Sequence, residues 1–331
     1  MLSRVANNLY WMSRHIERAE NTARLLDVTY RMSLLPYRIL EPGQSWAEPW
    51  AVPLVINGLA TAYYELYPGA LSADNVLRFM VFDATNASSI YSCIHSAREN
   101  ARTVRGAITS EMYEDINSVW LEMRNQNYDS IRTGGLSEFF DWVKMRSHQF
   151  RGVTFGTSLR DEGYSFMRLG TFVERADNTA RLLDVKYHTL LPSVADVGGA
   201  VDYYQWSALL RSVSAFDSYR KVYRDVITPM RVAELLILRD DMPRSLHACM
   251  NEIYDILRDL CEPSSREAER LAGELHAQLH YGRTEQIISP GLHEYLMNFL
   301  EKLNALNDEI NKHFLVPVYP RQQVAATIER R

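Results

Sequence analysis

Residues 17–28 read ERAENTARLLDV and residues 174–185 read ERADNTARLLDV. The two stretches differ only at Glu20 and Asp177, across an offset of 157 residues. Neither contains glycine or proline, and both are rich in Ala, Leu, Arg and Glu, the strongest helix formers. At about 100° per residue, Ala19, Ala23 and Leu26 fall with Met12 and Ile16 on one side, which predicts a core-facing stripe. Glu17, Glu20, Asn21, Arg24 and, at its edge, Asp27 share the opposite face. The second copy repeats that face with Glu174, Asp177, Asn178, Arg181 and Asp184. Arg18 and Arg175 point roughly 100° away from their Glu neighbours and need partners outside their own helix.

The repetition extends well beyond these helices. A shift of one residue pairs Trp50 with Trp206, Leu54 with Leu210, Tyr63 with Tyr219, Tyr67 with Tyr223, Ser89 with Ser245 and Cys93 with Cys249. A repeat of about 155 residues follows. Apolar residues recur at three- and four-residue spacing through most of the chain, and strand-like alternation is absent. The spacing predicts helices over 3–34, 48–67, 72–81, 86–108, 111–127, 136–150, 158–190, 200–224, 228–239, 243–260, 264–281 and 290–314. Breaks are expected at 36–44, 68–69, 134–135, 192–199, 263 and 290–291. The predicted architecture is all-α: two diverged helical repeats, 1–157 and 158–315, packed as a pseudo-two-fold bundle, separate or fused into one domain. Residues 316–331 read as an extended C-terminal tail.

With 331 residues, 47% of them hydrophobic, the chain can bury sizeable cores. A net charge of −5 and a pI near 6.0 argue against nonspecific nucleic-acid binding, which needs a cationic footprint. Three cysteines without CxxC spacing read as reduced thiols. The amphipathic N-terminus is interrupted by Glu17, Glu20 and Asp27, unlike a transit peptide. No stretch approaches the roughly 18 apolar residues of a membrane span. A cytoplasmic protein is expected.

Three readings fit the repeated polar face: a buried ion-pair network between the repeats, a ligand or partner site, or a solvated face supported by i,i+4 pairs worth tenths of a kcal/mol. The copies differ in one respect. Arg98, Arg102 and Arg105, with Asn100 among them, read as one basic helix face, whereas the matched positions hold Tyr254, Arg258 and Cys261. That triple suits either ion pairing with the acidic stripes or an anion site for carboxylate or phosphate. Asp83, Asn86 and Ser88-Ser89 read as a helix start with an Asx or Ser cap.

Other candidates carry less. His276 and His280, at i,i+4, could share a metal, but no acid lies between them and no third ligand is evident; an exposed or core histidine pair is the simpler reading and no metal is assigned. Repeat-matched Glu-x-x-His motifs for a di-iron site are missing. No phosphate-cradling glycine loop is present. Cys93 and His95 point to different sides of a helix, so Cys93 reads as packing, and the tyrosines at helical spacing read as core or interface.

The segments LSRVANNLYWMSRHIERAENTARLLDV, SSIYSCIHSARENARTVR and FMRLGTFVERADNTARLLDVKY resemble the bacterial alpha-E family over nearly the whole chain, with Glu17-Arg18 and Glu174-Arg175 matching its Glu-Arg motif. Members are typically encoded beside a circularly permuted ATP-grasp protein and a transglutaminase-like protein, sometimes with the Anbu peptidase. The resemblance therefore implies a helical partner of an amide ligase in peptide synthesis, modification or turnover. ATP and Mg are implied only through that partner, and no intrinsic cofactor is. An independent amide-transferring or hydrolysing enzyme using Glu17 and Glu174, and a purely structural homo-oligomer, are the alternatives.

Overall fold

The computed structural model describes residues 1–33, 49–69, 71–188, 199–260, 262–263, 265–288 and 291–316. The expected breaks at 36–44, 192–198 and 290, Cys261 and the tail beyond 316 lie outside these residues. The described residues form helices and no strand, as the periodicity predicts: α1 (Ser3–Ser33), α2 (Val52–Ile56), α3 (Ala60–Leu66), α4 (Ala73–Val81), α5 (Ile90–Thr103), α6 (Ser110–Arg124), α7 (Tyr128–Gly134) and α8 (Leu136–Thr157). These are followed by α9 (Glu162–His188), α10 (Ala200–Ser212), α11 (Phe216–Tyr223), α12 (Pro229–Ala233), α13 (Leu246–Leu260), α14 (Arg266–His280), α15 (Thr284–Ile288) and α16 (Leu292–Ile310).

Residues Ile90, Ser110 and Leu136 open α5, α6 and α8, and Leu246, Arg266 and Leu292, each 156 residues further on, open α13, α14 and α16. α1 packs on α5 and α8; α9 packs on α13 and α16. The matched serines cap matched helices: Ser89 Oγ accepts from the Ser92 amide at 3.1 Å and Ser245 Oγ from the Ala248 amide at 2.9 Å, satisfying donors at the first turn. Asn86 Oδ1 instead orders the turn before α5, accepting from the Ser88 amide at 3.0 Å.

α1 and α9 lie against each other at the centre. Their approach is close enough that a Cβ on Gly170 would stand 2.3 Å from the Tyr10 carbonyl oxygen, so glycine is required at the contact. The α1 stripe divides between two cores. Met12 and Ile16 join Leu9 and Tyr10 in a cluster that includes α9, α13 and α16; Ala19, Ala23 and Leu26 join one with Tyr63, Phe79 and Phe140. The polar face of α1 is buried as well: Glu17 is 1% exposed, Glu20 0%, Asn21 2% and Arg24 7%, which excludes a solvated stripe.

Several predicted helices are interrupted. The 48–67 interval breaks at Gly58, whose φ of 65° is left-handed. The 200–224 interval breaks at Ser214, φ 54°, separating α10 from α11. The 228–239 interval passes from α12 into a wide π-type turn, Glu234–Leu238. α7 fills the interval between the helices predicted over 111–127 and 136–150, and a reciprocal Asn127–Ser130 capping box starts it. No helix among the described residues is long and apolar enough to cross a membrane.

Candidate functional site

The two Glu-Arg pairs engage each other crosswise. Arg18 donates to Glu174 through Nε at 2.6 Å and Nη2 at 2.9 Å; Arg175 donates to Glu17 through Nε at 2.9 Å and Nη2 at 3.0 Å. Each arginine, turned away from its own glutamate by the helix, meets the glutamate of the other helix in a two-point fork, the strongest geometry for a guanidinium and a carboxylate. The sequence requirement that Arg18 and Arg175 find outside partners is thereby met.

The surroundings of the two clasps differ. Around Glu174, Arg14 adds a bond at 2.8 Å, and Arg14 and Tyr10 both donate to Asn307 Oδ1 at 3.0 and 2.7 Å. Around Glu17, Arg151 reaches in from α8 at 2.9 Å and Arg244 from the turn before α13 at 3.0 Å. Both also bond Glu20, at 2.6 and 2.5 Å, beside Arg24 at 2.8 Å and Ser147 Oγ at 2.7 Å. Arg244 further donates to Asn21 Oδ1 at 3.1 Å, while Thr179 of α9 anchors its backbone carbonyl at 2.9 Å. His148 lies between two guanidiniums, 3.3 Å from Arg24 and 2.9 Å from Arg151.

Burial alone would raise the pKa of Glu17 and Glu174, but Arg175, Arg244 and Arg151 around the first and Arg18 and Arg14 around the second outweigh it and hold each at about 2. Carboxylates so held are poor proton acceptors at neutral pH. Among the described residues six guanidiniums, of Arg14, Arg18, Arg24, Arg151, Arg175 and Arg244, are ion-paired with three carboxylates, of Glu17, Glu20 and Glu174, while the adjacent Asp177 pairs with Arg181 and Asp240 and Asp241 stand across a cavity from Arg175. Burial, with Arg175 and Arg24 nearby, accordingly lowers the pKa of Arg244. Buried surplus charge is costly unless an anion compensates it.

Arg24 connects this network to a cavity of about 540 Å³ between α1, α8, α10 and α11, a size typical of small-ligand sites, roughly 300–1,000 Å³. Arg24 Nη1 donates to Ser214 Oγ at 2.6 Å, so the break between α10 and α11 forms part of the wall. Arg31, Lys144 and Arg211 add cations, against Asp27 and Asp217. Asp27 is already bound by Arg31 and Lys144, both at 3.0 Å. Ser207, 8% exposed, also lines the cavity, and its Oγ has no hydrogen-bond partner.

The fold thus gathers Glu17, Arg18, Glu20, Asn21, Arg24, Glu174 and Arg175. Asp177 and Arg181 pair with each other at 2.7 Å beside them, and Asn178 is half-buried on the same helix. The basic triple does not form the predicted face. α5 ends at Thr103, its last turn closed by the Asn100 carbonyl at 3.2 Å, and Arg105 lies in the following turn, stacked 4.5 Å from the Tyr113 ring. Arg98 and Arg102 share Glu99, a neighbour on their own helix, and do not reach the acidic stripes. Arg14 carried a signal in sequence, since it stands one helical turn before both Glu17 and Arg18, three and four residues away. Arg151 and Arg244 had only a faint signal: their repeat mates are Asn307 and Ser88. Cys93 and Cys249 are buried, which pushes both thiols up to about 12, as suits packing.

Residues 1–315 match the family described as a predicted alpha-helical domain with a conserved ER motif. The chain is similar to uncharacterized proteins of Mycobacterium bovis and of two Mycobacterium tuberculosis strains, 24% identical to each over 325 residues, 91% of this chain. It spans about a third of the length of these relatives, 35% of each. No solved structure matches it. With the Glu-Arg pairs clasped across its two central helices, the chain belongs to the alpha-E family.

Proposed function

We propose that the chain is the helical partner of an ATP-grasp amide ligase in a cytoplasmic system for peptide synthesis, modification or turnover, and that its cavity receives the anionic end of that system's substrate. The observation that carries the binding reading is the cavity walled by Arg24, whose other side joins a buried cluster with more guanidiniums than carboxylates. Guanidiniums already positioned by packing bind carboxylate or phosphate with little further ordering cost. The ligase assignment rests on the alpha-E resemblance, and the much greater length of the mycobacterial relatives supports a working unit larger than this chain. ATP and Mg belong to the ligase; the transglutaminase-like protein and the Anbu peptidase are further partners in the same reading. The clasped Glu17 and Glu174 suit structural anchoring rather than acid–base catalysis.

Co-expression with the neighbouring ATP-grasp protein, followed by size-exclusion chromatography with light scattering and an ATP-turnover assay, tests the partnership. Co-elution with altered turnover is expected, and separate elution with unchanged turnover refutes it. Arg211→Ala, exposed at the cavity rim, is expected to raise KM for a carboxylate-bearing acceptor while the complex stays intact. An intact complex with unchanged KM refutes the cavity assignment.

A further inference from the structure

Three histidines converge outside the Glu-Arg network. His247 of α13 joins His276 and His280 of α14, with one ring nitrogen from each lying within 4.8 Å of the others. The wide turn Glu234–Leu238 orients the first of them: His247 Nδ1 stands 2.7 Å from the Leu238 carbonyl oxygen, which fixes Nδ1 as the donor and leaves Nε2 as an acceptor. That Nε2 is buried and unpartnered in a residue 5% exposed. A buried acceptor without a partner is costly, and a ring whose far nitrogen donates to a backbone carbonyl is the usual arrangement of a metal-binding imidazole.

The surrounding residues supply the remaining requirements. Tyr254 stacks on His276 at 4.9 Å and Tyr281 meets His280 edge-on at 4.7 Å, limiting the positions of both rings. Packing does not itself demand histidines here. At the matched positions of the first half stand Tyr91, Trp120 and Arg124, and Tyr91 packs against Trp120 at 5.2 Å as an ordinary aromatic pair.

We propose that His247, His276 and His280 form a binding site for one divalent transition-metal ion, with zinc the best match to three imidazoles, and with a coordination position left open on the solvent side. Three neutral nitrogen donors suit Zn²⁺, and Co²⁺, Ni²⁺ and Cu²⁺ after it, rather than the oxygen-seeking Mg²⁺ or Ca²⁺. Zinc–nitrogen bonds of about 2.0–2.1 Å require the nitrogens to stand roughly 3.3 Å apart. Closing from separations of up to 4.8 Å takes small rotations of His276 and His280, the two less buried rings, about their side-chain bonds. The exposed His280 places the open position where water or a small ligand can reach it.

The test uses the full chain without a polyhistidine tag, titrated with Zn²⁺ by calorimetry and with Co²⁺ by visible absorption. One ion per chain and the intense visible bands of four-coordinate Co²⁺ are expected. His280→Ala, at an exposed position, should weaken binding by roughly a hundredfold or more, since even outer partners of metal ligands are worth 10–100-fold. His95→Gln, in the first half, should leave binding unchanged. Absence of stoichiometric binding to the wild-type chain overturns the proposal, as does binding that His280→Ala leaves intact. Should His247→Ala fail to fold, the His280→Ala titration and the wild-type Co²⁺ spectrum still decide.

Discussion

Glu17→Gln is the sharpest perturbation of the central clasp. It keeps the side-chain volume and removes the charge on which Arg151, Arg175 and Arg244 converge. Removing one partner from a buried ion pair costs about 3–5 kcal/mol, because the remaining charges stay buried without compensation. Glu174→Gln should cost less, since only Arg14 and Arg18 meet Glu174. Both losses fit within the usual stability of about 5–15 kcal/mol, so the variants should fold. A pair of double-mutant cycles, read as urea unfolding by far-UV circular dichroism at constant m-value, isolates the geometry. Glu17→Gln with Arg175→Met should show a coupling of about 2–3 kcal/mol, whereas Glu17→Gln with the sequence neighbour Arg18→Met should show no more than about 0.5 kcal/mol. A larger coupling between the neighbours than across the helices would refute the crosswise clasp.

Three further outcomes are expected. Gly170→Ala should destabilise the fold by about 1–3 kcal/mol despite the better helix propensity of alanine, because the new Cβ meets backbone at Tyr10; unchanged thermal stability would contradict the close approach of α1 and α9. Asp115, buried with both oxygens unpaired and its pKa raised by burial, has Leu271 as its repeat mate, so Asp115→Leu should stabilise by about 1–3 kcal/mol in a denaturation curve, and a loss of stability would show that the carboxyl has a partner. Acid should destabilise the protein in two stages. Burial, with Arg18 nearby, lowers His15 to about 4, and burial lowers His148; Glu17 and Glu174 lie at about 2. Each folded pKa is below its unfolded value, so the native state binds fewer protons. The stability from the histidines is therefore complete above about pH 6.5 and lost towards pH 4, and that from the carboxylates is lost from about pH 4.5 towards 2. Melting temperatures that rise between pH 7 and 4 would reverse this assignment.

Helical class and family were legible before any packing was known, because helical periodicity and a twelve-residue repeat are local properties of the chain. The sequence also singled out the repeated polar face of the Glu-Arg helices, with a buried network, a site and a solvated face all open, and showed that Arg18 and Arg175 need partners beyond their own helix. The partners of those arginines follow from packing. Which carboxylate each arginine meets depends on the α1–α9 contact at Gly170, and the charge surplus arises because Arg151 and Arg244 arrive from segments more than a hundred residues away from Glu17. Helix ends were equally hard to read: Arg105 leaves the predicted basic face because α5 stops at Thr103, a choice made by the turn and the Tyr113 stack rather than by propensity. His247 stands far from His276 and His280 in the sequence, and only the packing of α13 on α14 brings the three rings together.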